Sequence, residues 1–141
     1  MKKKLFFDAD VILDIAIDRR PYSVHAAILL SKVEEGVFEG FTSSTIITNI
    51  YYVLRKLESH RKALLFIKQL RLILKIIAVD DTIILKALES AFRDFEDGVQ
   101  YHAALAHRLD YIITRNTGDY KKSSVNVCTP EEFLKINFGD R

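Results

Sequence analysis

Apolar runs and amphipathic stretches alternate along the whole chain. Five mostly apolar runs lie near residues 5, 38, 76, 112 and 126, and those at residues 5–7 and 111–113 have no polar residue at alternate positions. This is typical of strands that are buried on both faces of a parallel sheet. The stretches between them have the apolar spacing of helices, and Ser, Thr or Asp residues suited to capping stand before several of them. The pattern predicts an α/β protein with a central five-stranded parallel sheet covered by helices on both faces.

Residues that cap or end helices mark the predicted boundaries. Ser23 is the expected N-cap of a helix that stops at Gly36, and a strand is expected at residues 37–41. Further helices are expected to start at Ser59, at residues 80–82, at Asp94 and at residues 129–132. The chain has only five Gly and two Pro, and it contains no repeat or linker, so we expect a single domain over residues 1–141.

The composition narrows the class of protein. With 141 residues, 49% of them hydrophobic and 28% charged, the chain is long and apolar enough to bury a core. Its net charge of +2 neither indicates nor excludes nucleic-acid binding. The one cysteine, Cys128, excludes a disulfide framework and a cysteine-based zinc site. No apolar run approaches the ~18 residues of a membrane span, so we expect a cytoplasmic protein without a membrane segment.

Polar side chains follow several of the predicted strands. In an open parallel sheet the carboxyl ends of the strands meet at one edge, where ligands bind. The residues concerned are Asp8 and Asp10 after the first strand, Asn49 after the second, Asp97 at an acidic helix start, and Thr114, Asn116 and Asp119 after the fourth. Taken singly, each is more often a cap or turn residue than a ligand. We expect Asp94 to be a cap, and Asp14 and Asp18 to lie at the surface or in turns.

Asp8 is the position that is hardest to explain as a simple cap. It directly follows an apolar run at residues 5–7 and precedes another at residues 11–13, so its carboxylate is expected to be partly buried. Burying a carboxylate is costly unless it has a partner, and no Lys or Arg follows closely in the sequence. A cation shared by acids from different elements would compensate. Oxygen ligands without Cys or paired His favour Mg²⁺ or Mn²⁺.

Four segments, in order along the chain, resemble the motifs of PIN domains. Residues 6–14 are FFDADVILD, similar to the opening motif hhhDTNhhLD, in which h is an apolar residue. The second and third motifs are matched by residues 42–56, TSSTIITNIYYVLRK, and by residues 94–106, DFEDGVQYHAALA. Residues 111–120, YIITRNTGDY, with TPEEFL at residues 129–134, resemble the fourth motif and the tail. The chain is most similar to the small single-domain PIN proteins of prokaryotes, a branch that includes VapC-like toxins.

This resemblance implies a three-layer α/β/α fold and Mg²⁺- or Mn²⁺-dependent cleavage of single-stranded RNA by an acidic cluster. It also implies a homodimer and, for a toxin, a small antitoxin protein as partner. Carried over by position, Asp8 and Asp97 are acids of the cluster, and Asp119 matches an acid of the last motif. These three are therefore the expected catalytic and metal-binding residues. Arg115, which lies within the fourth motif, is the expected RNA contact.

The sequence departs from the PIN pattern at two of the four acidic positions. Asn49 stands where the second motif usually has Glu, and Asn116 stands where the fourth usually has Asp. Only two of the four positions then carry a negative charge, which weakens the attraction for a divalent cation. The amide oxygens of Asn49 and Asn116 remain candidate ligands, as does Asp10. The hydroxyl of Thr114 is a candidate for contact with a ligand or with the scissile phosphate.

Three other interpretations stay open. A binding module would keep the fold but, without acids at positions 49 and 116, would bind RNA or a partner without cleavage. A haloacid-dehalogenase-like phosphatase also has a D-x-D motif, which Asp8 and Asp10 match, although Val11 and Ile12 stand where that family has Gly-Thr. An interaction protein would use the apolar residues between positions 64 and 74 as a dimer or antitoxin surface.

Overall fold

Five short strands form one sheet at the centre of the protein. The computed structural model describes residues 1–139, so the expected domain end at residue 141 lies outside the described residues. The strands are β1 (Lys4–Phe7), β2 (Glu39–Ser43), β3 (Lys75–Ile77), β4 (Tyr111–Ile113) and β5 (Asn126–Cys128). Their order is β3-β2-β1-β4-β5, and every pairing is parallel, which confirms the predicted five-stranded parallel sheet.

Helices cover both faces of this sheet. In the described part of the chain they are α1 (Ala9–Ala16), α2 (Tyr22–Glu34), α3 (Ser44–Leu57), α4 (His60–Ile73), α5 (Asp81–Glu89), α6 (Phe95–Ala106) and α7 (Pro130–Phe138), with a 3₁₀ turn at Thr117–Tyr120. α1 packs against α2 and α3, and α2 packs against α4 and α7, whereas α5 packs against α6. Strands β2 and β3 lie on one side of β1, and strands β4 and β5 lie on its other side. Right-handed crossovers therefore place α5 and α6 on the opposite face from α1–α4, which confirms the three-layer arrangement.

The central strand β1 is fully buried along its apolar run. Leu5, Phe6 and Phe7 are each 0% exposed, because β2 and β4 flank the strand and helices cover its faces. Ile112 and Ile113 of β4 are buried to the same extent. This burial on both faces explains why these runs lack polar residues at alternate positions. Within residues 1–139, no helix has the length and apolar character needed to span a bilayer.

The expected helix starts are confirmed with one local difference. Among the expected N-caps, those whose side chains accept a backbone N–H are Ser59, Asp80, Asp94 and Thr129. Helix α2, however, begins at Tyr22, so Ser23 is not its cap. The hydroxyl of Ser23 instead donates to Asp18 Oδ1 over 2.7 Å. This hydrogen bond satisfies the buried serine inside the first turn of the helix.

Strand β2 lies further along the chain than the predicted residues 37–41. Thr42 and Ser43 are both 0% exposed at its end. The Thr42 hydroxyl donates to the carbonyl of Phe7 (2.9 Å), and the Ser43 hydroxyl donates to Gln100 Oε1 (2.6 Å). Because these partners satisfy the buried hydroxyls, the strand continues past its last apolar residue.

The sheet has a switch point between β1 and β4. The chain continues from β1 to β2 on one side and from β4 to β5 on the other, so a crevice opens at the carboxyl ends of the two strands. Asp8 follows β1 at this crevice, and Thr114 follows β4. The topology thus places the first and fourth motifs next to each other.

Candidate active site

Asp8 stands where β1 ends and α1 begins. Its backbone N–H continues the sheet by donating to the carbonyl of Ile113 (3.0 Å), and its Oδ1 caps α1 by accepting the N–H of Ala9 (2.9 Å). The hydroxyl of Tyr120 donates to Oδ2 over 3.0 Å. Burial, and then the charge of Asp10, raise the pKa of Asp8 to about 6. Asp8 is therefore both a helix cap and a half-buried carboxylate whose hydrogen-bond donors are neutral.

Asp97 lies in the first turn of α6. Its backbone N–H donates to the capping carboxylate of Asp94 over 3.1 Å, which confirms the role expected of Asp94. The pKa of Asp97 is raised to about 7, first by burial and then by the negative charges of Asp94, Asp8, Asp119 and Glu96. A carboxyl group that is surrounded by other acids in this way is a candidate to bind a cation.

Two clefts meet at Asp97. The first, of about 240 Å³, is lined by Asp8, Asp97 and Asn49, with Glu96 at its side. The second, of about 390 Å³, is lined by Asp97 and Asp119. It also holds three basic side chains, Arg93, Lys121 and Lys122. The structure thus brings Asp8 and Asp97 together in one cleft, and Asp97 and Asp119 together in the other.

Asp10, the other acid of the first motif, has a different set of neighbours. It accepts hydrogen bonds from the Thr114 hydroxyl (3.2 Å), the Arg115 backbone N–H (3.0 Å) and the Asn116 side-chain amide (3.1 Å). Burial raises the pKa of Asp10, and the bonds from Arg115 and Thr114 oppose that shift. The Thr114 hydroxyl also lowers the pKa of Asp8, so it lies near both carboxylates. The ligand roles predicted for Asp10, Thr114 and Asn116 stay predictions.

The guanidinium of Arg115 is paired with Asp14. Its Nε and Nη2 donate to the two carboxylate oxygens over 2.6 and 3.1 Å, and it lies over the Tyr22 ring, 4.2 Å from the centroid. The Asp14 side chain is 1% exposed. The expectation that Asp14 lies at the surface is therefore wrong, because a bidentate cation compensates its burial. The RNA contact expected of Arg115 stays a prediction.

The sequence did not point to two residues that hold the site together. Gln100, 6% exposed, accepts a bond from Ser43 Oγ (2.6 Å) and donates to Thr45 Oγ1 (3.0 Å), so it joins α6 to the start of α3 beside the first cleft. Its signal was a polar side chain among the apolar residues of a predicted helix. Tyr120 is 2% exposed and bonds to the first acid of the cluster. Its only signal was its position directly after Asp119 in the fourth motif.

The donors of the first cleft suit a hard cation that keeps part of its water shell. No group of three or more His, Cys, Asp or Glu side chains in residues 1–139 is arranged to hold a metal ion. Asp8 and Asp97 nevertheless offer carboxylates, and Asn49 offers an amide oxygen, in one cleft. Mg²⁺ is usually held by one or two protein carboxylates, with waters completing its coordination. The residues present therefore fit a partly hydrated Mg²⁺ or Mn²⁺ rather than an enclosed ion.

Comparison with known proteins identifies the family. A family model described as PIN domain matches residues 4–118, a range that contains the first three motif segments and most of the fourth. The chain belongs to the PIN domain family. This PIN-domain protein is 37% identical to Ribonuclease VapC1 of Aquifex aeolicus, with 94% of each chain covered. The family expected from the four motif segments is thereby confirmed.

Solved structures of low sequence identity share the fold of this PIN-domain protein. VapC20 of Mycobacterium tuberculosis, described as a sarcin-ricin loop cleaving toxin, is 13% identical and has a TM-score of 0.69, with 84% of this chain and 94% of that chain covered. A chain of the DNA-bound VapBC from Salmonella typhimurium is 12% identical and has a TM-score of 0.70, with 92% and 99% covered. These likenesses confirm the three-layer PIN architecture.

Proposed function

We propose that this PIN-domain protein is a divalent-metal-dependent endoribonuclease that hydrolyses phosphodiester bonds of single-stranded RNA. The observation that carries the proposal is the convergence of Asp8 and Asp97 on one cleft, where the pKa of each is raised. The 37% identity to a protein named a ribonuclease supports the same reaction. Asp119, in the adjoining cleft, is the third acid of the proposed site.

The acids of the two clefts match what phosphodiester hydrolysis requires. The reaction needs an activated water, an in-line approach and relief of charge on the phosphoryl oxygens. A divalent cation, when bound, supplies Lewis acidity and positive charge for these purposes. Asp8 and Asp97 would hold it in the first cleft, with Asn49 as a neutral oxygen donor. Since the pKa of Asp97 is about 7, binding a cation would favour its charged form at neutral pH.

Basic side chains around the second cleft are suited to the RNA backbone. Those that line it, beside two of the acids, are Arg93, Lys121 and Lys122. Contacts from these residues to phosphates would make RNA binding strongly dependent on salt concentration. Arg115 is a further proposed contact, and it would have to use the edge of its guanidinium that does not bind Asp14.

The proposed biological role is that of a toxin silenced by a small antitoxin protein. One structural relative is a VapBC assembly, and another is described as a toxin. Exposed leucines on α3 and α4 offer an apolar surface for an antitoxin or for a second copy in a homodimer: Leu57, Leu64, Leu65 and Leu72. RNA as substrate would place this activity in the cytoplasm.

Binding of RNA or protein without cleavage is the second candidate function. It is favoured by Asn49 and Asn116, which carry no charge where the PIN pattern has acids. The phosphatase interpretation has lost its support, because the chain belongs to another family. In addition, Asp10, which would be the acid/base of a phosphatase, is bonded by three donors of the segment after β4.

Cleavage of a panel of single-stranded and structured RNAs tests the proposed reaction. With Mg²⁺ or Mn²⁺ the wild type should cut at least one of them. Asp8→Asn should lower the rate by about 100-fold or more, because it removes a charged ligand of the cation. Glu34→Gln, at an exposed position of α2, is the matched control and should cleave like the wild type. A folded wild type that binds RNA but cuts no member of the panel would support the binding function instead.

A further inference from the structure

Tyr120 connects the 3₁₀ turn after β4 to the acid at the end of β1. Its hydroxyl donates to Asp8 Oδ2 over 3.0 Å, although the two residues are 112 positions apart in the chain. The side chain is 2% exposed. The preceding residue, Asp119, belongs to the same turn and lines the second cleft. One hydrogen bond therefore joins the two parts of the chain that supply Asp8 and Asp119.

We infer that Tyr120 is a positioning residue for the proposed metal site: its hydroxyl fixes the orientation of the Asp8 carboxylate and holds the turn that carries Asp119 against it. The inference rests on the proposed metal-dependent function. Asp8 accepts one bond at each oxygen, from Ala9 at Oδ1 and from Tyr120 at Oδ2, so both ends of the carboxylate are held. A carboxylate oxygen has two lone pairs, so these bonds leave acceptor capacity for a cation.

The hydroxyl, not the ring, carries this effect. The Tyr120 ring packs edge-on against Phe92, with centroids 6.0 Å apart, and a phenylalanine would keep that contact. Without the hydroxyl, Oδ2 of Asp8 loses its donor from Tyr120, and the carboxylate rotates more freely about the remaining bond from Ala9 at Oδ1. A cation that binds the variant must then order the carboxylate as well, which weakens its affinity.

Tyr101 provides a matched control in the same aromatic cluster. Its ring stacks on Phe92 with centroids 4.9 Å apart, and its side chain is 9% exposed. Its hydroxyl is bonded to Ser124 Oγ over 2.8 Å. Tyr101→Phe therefore removes a buried hydroxyl of the same kind from the same cluster, without removing a bond to Asp8.

Mn²⁺ binding to the metal-free full-length protein, followed by the electron paramagnetic resonance of free Mn²⁺, tests this inference. Tyr120→Phe should weaken Mn²⁺ binding about 10-fold, the usual effect of removing a partner of a metal ligand, whereas Tyr101→Phe should leave it unchanged. The RNA cleavage rate of Tyr120→Phe should recover at saturating Mn²⁺, which a general loss of structure would not allow.

The outcomes separate this inference from the proposed function. If the wild type binds Mn²⁺ and cleaves RNA, but Tyr120→Phe binds as tightly, the inference is overturned and the proposed function stands. Equal weakening by Tyr101→Phe also overturns it, since the effect would then belong to the aromatic cluster. A folded wild type that binds no Mn²⁺ overturns both.

A second measurement does not require Tyr120→Phe to fold. The protein is labelled with 3-fluorotyrosine, and its fluorine NMR signals are followed. Among the described residues, the buried tyrosines are Tyr101 and Tyr120. Tyr101→Phe removes one buried fluorine signal and so assigns the other to Tyr120. Adding Mg²⁺ should shift that signal, and Asp8→Asn should abolish the shift. A signal that stays in place while Mg²⁺ binds would overturn the inference.

Discussion

Two groups of aspartates lie at the carboxyl edge of the sheet, and their charges are compensated differently. The inner group, Asp10 and Asp14, is bonded by donors from residues 114–116. The outer group lines the two clefts and consists of Asp8, Asp97 and Asp119. The Asp14 carboxylate is paired with the guanidinium of Arg115 (2.6 Å) and lies 3.6 Å from Arg19 Nη1. The donors to Asp8 are neutral instead, and its pKa is raised to about 6.

This comparison teaches that the neighbours of an aspartate, rather than its place in a motif, decide what it does. Asp10 and Asp14 are four residues apart in α1, so they share a helix face, and that face meets the segment after β4. Asp8 precedes the helix and caps it instead. Burial of a carboxylate requires compensation in both groups. The inner group is compensated within the protein, and we infer that the outer group is compensated by a cation.

Removing the Arg115 guanidinium, the bidentate partner of Asp14 in the inner group, should have the largest effect on stability. Arg115→Ala leaves Asp14, which is 1% exposed, without its bidentate partner. Arg19 Nη1, 3.6 Å from Asp14 Oδ1, stays as a more distant partner. We therefore expect the free energy of unfolding to fall by about 3 kcal/mol, the lower end of the range for broken buried pairs. Urea denaturation followed by circular dichroism measures the change.

The control for this experiment is an exposed ion pair. Arg20→Ala removes the contact with Asp18, whose side chain is 65% exposed, and should change the free energy of unfolding by less than about 1 kcal/mol. Equal losses in Arg115→Ala and Arg20→Ala would show that the Asp14 pair is no more important than a surface pair.

Replacing the Asn116 amide that faces Asp10 with a carboxylate should have a smaller effect. Asn116→Asp replaces the amide that donates to Asp10 over 3.1 Å with a second carboxylate, and we expect a loss of about 1–2 kcal/mol. Adding Asp10→Asn should recover most of it, because an amide then faces a carboxylate again. The double variant has the order of the PIN motifs, in which the opening motif has Asn at the position of Asp10 and the fourth usually has Asp at the position of Asn116. Recovery would therefore show that these two residues compensate each other.

The recovery is the decisive part of that experiment. Chemical denaturation of the wild type, both single variants and the double variant gives the coupling energy between the two positions. A double variant that is no more stable than Asn116→Asp would show that Asp10 and Asn116 are not coupled.

The range of the contacts determines how much of this comparison the sequence could predict. Asp8 was predictable because it directly follows a fully apolar strand, and the same runs predicted the sheet. The bidentate partner of Asp14 is 101 positions away and the partner of Tyr120 is 112 away, and no local pattern signals either bond. The spacing of Asp10 and Asp14 shows that they share a helix face, but not that Arg115 lies opposite that face.

The outer group should make the stability of the metal-free protein depend on pH. The pKa is raised from 3.8 to about 7 for Asp97 and to about 6 for Asp8. Below about pH 4 both carboxyls are protonated in the folded and the unfolded chain, and their contribution to stability is fully present. Between about pH 4 and pH 7 the folded protein keeps protons that the unfolded chain has released, so stability falls as the pH rises.

The free energy of unfolding from about pH 4 to pH 8, with and without Mg²⁺, is the most direct test that Asp8 and Asp97 share a cation. The wild type and the control Glu34→Gln should lose stability as the pH rises and regain it with Mg²⁺ near pH 7.5, but not near pH 5, where protons compete for the ligands. Asp97→Asn should show a smaller fall and no gain from Mg²⁺. Parallel curves for the wild type and Asp97→Asn, with Mg²⁺ stabilising neither, would contradict a shared cation.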